Sequence, residues 1–158
     1  MTKVSGIKKA MNFCKKAHAR QYRNDEKTPY FTHPFAVYGI LRVVTDDEDV
    51  LISGLLHDVI EDTEYGFKDI KKIFGLNVAN LVQEVTNDAN GQPTLLTYQG
   101  AMIKCADILH NVSTSQDNPK YVQKKVRQLR RIDKKFVEMG SGDTLGELLQ
   151  KAYEMRGD

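Results

Sequence analysis

The chain has 158 residues, 41% hydrophobic and 28% charged, with a formal net charge of +2. That suits one soluble domain with a real core; no apolar run approaches the roughly eighteen residues of a bilayer span, and the balance is too small to imply nucleic-acid binding. The opening MTKVSGIKKAMNFCKK is too polar for a signal peptide, so the expectation is a cytoplasmic protein with no membrane attachment.

Helical periodicity dominates, and strand signals are nearly absent. Residues 4–19 read as a first helix with Ile7, Met11, Cys14 and His18 inward. A polar loop over 21–32 leads to Pro34, read as the first residue of a helix running to about Val44. The acidic run Asp46-Asp47-Glu48-Asp49 opens a third helix, expected to continue through Asp62, where negative charge favours the positive end of the helix dipole. Gly54 within it permits close approach of a neighbour.

Phe67–Phe74 reads as a short helix stopped at Gly75, and 78–86 as another. Residues 87–93 form the most turn-like stretch. Helices are then expected over 96–114 and 119–139, with a short one after Gly140-Ser141-Gly142. In residues 120–135, Lys120, Lys124, Lys125, Arg127, Arg130, Arg131, Lys134 and Lys135 stand against Asp133 alone. Val122, Val126, Leu129 and Phe136 recur there at helical spacing, which makes an amphipathic helix with a solvated basic face. With no repeat and no linker, residues 1–158 read as one all-α domain.

The most informative stretch is Leu55-Leu56-His57-Asp58-Val59-Ile60-Glu61-Asp62. On a continuous helix, His57 lies one turn from Glu61 and Asp58 one turn from Asp62, giving a polar strip in an apolar run. Carboxylates are rarely buried unless paired or bound to a metal. His33 and Asp107 sit in similarly apolar settings, so His33, His57, Asp58 and Asp107 make a ligand set for one divalent ion. Cys14 and Cys105 form no CxxC pair and read as small buried hydrophobes. His18 and His110 read as packed or supporting histidines, and Tyr30 and Tyr98 as core or rim.

Four pieces recur in a family-like order: Ala17-His18-Ala19-Arg20-Gln21-Tyr22-Arg23-Asn24, His33-Pro34, His57-Asp58-Val59-Ile60-Glu61-Asp62 and Ala106-Asp107-Ile108-Leu109-His110-Asn111. Over about residues 4–114 the chain resembles the HD-domain phosphohydrolases, within them the hydrolase domain of the RelA/SpoT homologues, and most of all the stand-alone small alarmone hydrolases. The resemblance implies a helical HD-domain bundle. It implies that His33, His57, Asp58 and Asp107 bind a metal, usually manganese (Mn²⁺), and that Glu61 and Asp62 handle the attacking water and its protons. It also places Arg23 on the substrate's guanine and Asn111 near the nucleoside, and matches Val85-Thr86 to a pocket-closing step. Two positions depart from the family: Arg20 replaces a glycine and Asn24 a lysine, both on the loop that meets base and phosphate.

Two imidazoles and two carboxylates suit Mn²⁺ or Fe²⁺, with zinc possible. Glu61 is placed to take a proton from water, with Asp62 assisting or protonating the leaving group. Lys104, one turn before Asp107, could meet a phosphate, and Arg20 and Arg23 lie on the adjoining loop. The leading expectation is hydrolysis of the 3′-diphosphate of guanosine tetra- or pentaphosphate to GDP or GTP and pyrophosphate. The alternatives are a phosphatase acting on another nucleotide or on NADPH, and a non-catalytic nucleotide-sensing or interaction module using the basic helix. The small-molecule partner is a nucleotide; the sequence leaves the oligomeric state open.

Overall fold

The computed structural model describes residues 5–138, and all regular elements among them are helices. In chain order they are α1 (Gly6–Ala17), α2 (Thr32–Val44), α3 (Glu48–Leu56), α4 (Val59–Asp62), α5 (Phe67–Phe74), α6 (Leu76–Val85), α7 (Tyr98–Ser113) and α8 (Pro119–Glu138). Two isolated bridges, Tyr22 with Pro29 and Asn87 with Pro93, close the loops that flank the site.

The helix starts follow local chemistry. Ser5 accepts from the Lys8 backbone N–H at α1, Asp47 accepts from Asp49 and Val50 at α3, and Thr97 accepts from Gly100 at α7. Each satisfies a donor that the first turn would leave unpaired. α2 begins at Thr32, two residues before the expected start, so Pro34 lies within its first turn, where its missing N–H costs nothing.

Two helices are buried nearly all round, which marks the centre of the bundle. Every residue from Val50 to Leu56 of α3 is buried, and so is every residue from Gly100 to Leu109 of α7. α2 packs on both, α1 and α6 pack on α3, and α8 covers α7. Gly54 allows the α2–α3 approach, since a Cβ there would stand 2.6 Å from Leu41 Cδ1. α8 turns Val122, Val126 and Leu129 inward, as its periodicity predicts, and Ile132 with them. The Phe136 side chain and the expected helix after residue 140 lie outside the described residues.

The expected continuous helix over 46–62 is corrected by the structure. It breaks at His57 and Asp58, and Asp58 adopts φ −99° and ψ 0°. The cause is local: His57 Nδ1 donates to the Gly54 carbonyl at 2.7 Å, the acceptor that a continuing helix would offer to the Asp58 N–H. The polar strip expected on one helix face is therefore a corner between two helices.

Candidate metal centre and active site

Three elements bring the four candidate ligands together. His33 sits in the first turn of α2, His57 and Asp58 at the α3–α4 corner, and Asp107 in the middle of α7. His33 Nε2 lies 2.8 Å from Asp107 Oδ1 and 3.7 Å from Asp58 Oδ2. His57 Nε2 lies 3.1 Å from Asp58 Oδ2 and 3.4 Å from Asp107 Oδ1. The ligand atoms of His33, His57 and Asp58 all fall within 4.8 Å of one another, a group that could hold a metal ion, and Asp107 meets both imidazoles from the facing helix.

One atom tests the fit. His57 Nε2 is buried and has no hydrogen-bond partner among the described residues, although two carboxylate oxygens stand beside it. Buried polar groups are normally satisfied, and a cation shared with those oxygens completes this one. The bond from Nδ1 to Gly54 holds the proton on the far side of the ring and leaves Nε2 facing the carboxylates. His33 is braced similarly, with its Nδ1 2.7 Å from His110 Nδ1. Burial, His33 and Arg23 hold His110 down at about 4, so it stays neutral and can accept that bond.

Charge inside the cluster is strongly coupled. Burial alone would lower the His57 pKa, yet Asp58 and Asp107 raise it well above the ordinary value. Burial alone would raise both aspartates, yet His57 draws each below the usual carboxylate range. A positive charge belongs among these groups.

Glu61 and Asp62 lie at the outer edge, and carboxylate oxygens of Asp58, Glu61 and Asp62 fall within 4.8 Å of one another. Glu61 Oε1 accepts the Asn87 backbone N–H at 2.8 Å, which fixes its direction. Burial, Asp58 and Glu61 push Asp62 up to about 6. Gln21 steadies that turn by donating from Nε2 to the Asp62 carbonyl at 2.8 Å.

The expected substrate contacts divide. Asn111 donates to Asp107 Oδ1 at 3.0 Å and accepts from Arg23 at 3.1 Å, which sets both beside a candidate ligand. Arg23, with Asn24 and His110, also lines a cavity of about 220 Å³. Lys104 is buried, 3.2 Å from Asp107 Oδ2, and reaches Asn87 Oδ1 at 3.4 Å; it braces a candidate ligand from inside. Thr86 and Asn87 border a second cavity of about 550 Å³. Arg20 is not brought into the site: it is exposed at a left-handed corner, φ 68°, and makes no hydrogen bond or ion pair to the site residues. A glycine would take that backbone conformation freely.

Sequence reasoning left one contributor unassigned. Tyr30 donates to Asp58 Oδ2 at 2.7 Å. Tyr30 lies three residues before His33, but nothing in its neighbours signals which carboxylate it meets.

Comparison with known proteins places this architecture. A family profile described as HD domain matches residues 10–96. The chain belongs to the HD-domain family. This HD-domain protein is 35% identical to the guanosine-3′,5′-bis(diphosphate) 3′-pyrophosphohydrolase MESH1 of Drosophila melanogaster, covering 89% of this chain and 88% of that one. It is 40% identical to the bifunctional (p)ppGpp synthase/hydrolase SpoT of Escherichia coli over 52% of this chain, but spans only 12% of that longer protein. A solved structure described as a metazoan ortholog of SpoT that hydrolyses ppGpp superimposes with a TM-score of 0.77 at 26% identity, covering 99% of this chain and 98% of that chain. No helix among the described residues is long and apolar enough to cross a membrane.

Proposed function

We propose that this protein hydrolyses the 3′-diphosphate of guanosine tetra- or pentaphosphate, releasing pyrophosphate and GDP or GTP. The observation that carries the substrate is the near end-to-end match to a MESH1 protein named for this reaction. The cluster built around the unpartnered His57 Nε2 supplies the chemistry.

His33, His57, Asp58 and Asp107 are the residues that would hold the metal, and Mn²⁺ suits two imidazoles with two hard carboxylates. When bound, such a cation lowers the pKa of water and offsets charge on a phosphoryl oxygen. The protein's own groups do the rest. Glu61, aimed by the Asn87 N–H, accepts a proton from the attacking water. The water oxygen bonds to the 3′-phosphorus, the phosphorus–oxygen bond to the ribose breaks, and the departing 3′-oxygen takes a proton. Asp62, pushed up to about 6, is suited to give that proton. Arg23 and Asn111 orient the nucleoside beside the cavity that Asn24 and His110 help to line.

A second reading keeps the metal and changes the substrate to another phosphorylated nucleotide, with orthophosphate as product. It is favoured by Asn24, which puts a neutral side chain in that cavity where the family carries a lysine. The test is to strip the purified protein with EDTA, reload it with Mn²⁺, offer both substrate classes and identify the product. Pyrophosphate from the guanosine substrate is expected. No turnover of it with Mn²⁺, Fe²⁺, Zn²⁺ or Mg²⁺ would sink the proposal.

A further inference from the structure

We infer that Tyr30 is a positioning residue of the metal centre, whose hydroxyl holds Asp58 in the one orientation that presents its Oδ2 atom to both imidazoles. The inference rests on the metal reading above but not on the identity of the nucleotide.

The placement begins in the loop before α2. Asp25 accepts the backbone N–H groups of Lys27 and Thr28, each at 2.9 Å, which tightens the loop tip. Arg23 then donates to the Thr28 carbonyl and Tyr30 to the Gln21 carbonyl, each at 2.8 Å, so the two limbs are tied and the Tyr30 backbone is fixed. The ring is held as well. His18 packs against it at 5.0 Å between centroids, the edge of His33 meets it at 6.0 Å, and the Arg23 guanidinium lies 5.9 Å from its centre.

A ring so confined can send its hydroxyl in few directions, and this one meets Asp58 Oδ2 at 2.7 Å. That same oxygen is 3.1 Å from His57 Nε2 and 3.7 Å from His33 Nε2. The hydroxyl is therefore a neutral donor on the carboxylate atom that would face the ion. Asp58 needs such a hold because it sits at a helix break, with no side-chain hydrogen bond capping α4 to fix its rotamer. Asp107, by contrast, is braced by Lys104 and Asn111. Partners of this kind, one step behind the ligand, typically govern metal affinity by 10- to 100-fold.

The experiment compares the full chain with Tyr30→Phe, which removes the hydroxyl and keeps the ring. After EDTA treatment, each protein is titrated with Mn²⁺ and free ion is followed by electron paramagnetic resonance, with a thermal melt in EDTA as the fold control. The expected result is Mn²⁺ binding about 10- to 100-fold weaker, with the metal-free melt little changed. A second variant, Asp58→Asn, closes a double-mutant cycle: if Tyr30 acts through Asp58, adding Tyr30→Phe to Asp58→Asn costs much less than it does alone. Equal affinity of the unaltered protein and Tyr30→Phe overturns the inference, as does full additivity in the cycle. A failure of the unaltered protein to bind Mn²⁺ overturns the metal reading with it. Failure to release pyrophosphate while Mn²⁺ still binds overturns only the substrate reading.

Discussion

Two places in this molecule bury a carboxylate against helix α7, and they do opposite things with it. Glu84, near the end of α6, accepts from the backbone N–H groups of Leu96 and Thr97, each at 2.8 Å, and from the Thr97 hydroxyl. It pins the loop before α7 to the helix's own start, and a Cβ on Gly100 would stand 2.5 Å from its Oε1. Every donor there is neutral and close. Asp58 and Asp107 instead face two imidazoles, one of which keeps a buried nitrogen without a hydrogen bond. Burial of charge alone does not mark a site; a buried nitrogen left without a hydrogen bond beside two carboxylates does.

Breaking each place separately tests that contrast, and the metal cluster should give the largest effect. His57→Ala or Asp107→Ala should drop pyrophosphate release to background and remove Mn²⁺ from the isolated protein on metal analysis. Glu61→Gln should lower kcat by about 10²–10⁴-fold while Mn²⁺ content stays at the unaltered level; loss of the metal as well would make Glu61 a ligand. Glu84→Ala should cost about 2–4 kcal/mol of stability in urea melts, with Mn²⁺ affinity preserved. A drop in affinity would erase the distinction between the two carboxylate sites.

Smaller effects sharpen the boundary. Asp62 has a folded-state pKa of about 6, above its ordinary 3.8, so the stability linked to its protonation is present below about pH 4 and lost as pH rises through 6. In EDTA, Asp62→Asn should therefore melt slightly higher at pH 7.5, by roughly 1–3 °C given partial exposure, and the two curves should converge toward pH 4. A gap that widens on acidification would reverse the assignment. Arg20→Gly should relieve the φ 68° corner and stabilise by about 0.5–1 kcal/mol, with kcat/KM unchanged. A fall in kcat/KM would return Arg20 to the substrate-binding residues.

Much of this was legible in the chain. Helical spacing located every helix among the described residues to within two or three residues, apart from the one drawn through the α3–α4 break, because burying an apolar stripe imposes a local period that sequence carries directly. The motifs named His33, His57, Asp58 and Asp107 as a group because imidazoles and carboxylates in apolar surroundings need a partner. Arg20 was legible only as a charged residue on the loop beside the site; its left-handed backbone, φ 68°, shows in addition that its position serves a turn.

What the sequence determined by itself was the helical class, the apolar faces and the chemical types available for a site, since these depend on composition and short-range spacing. Tertiary structure alone decided the meeting of His33 with Asp107 across 74 residues, the reach of Tyr30 to Asp58 across 28 residues, and the inward placement of Lys104 toward Asn87. Each depends on which distant groups compete for the same hydrogen bond or charge. That competition is settled only when the helices pack.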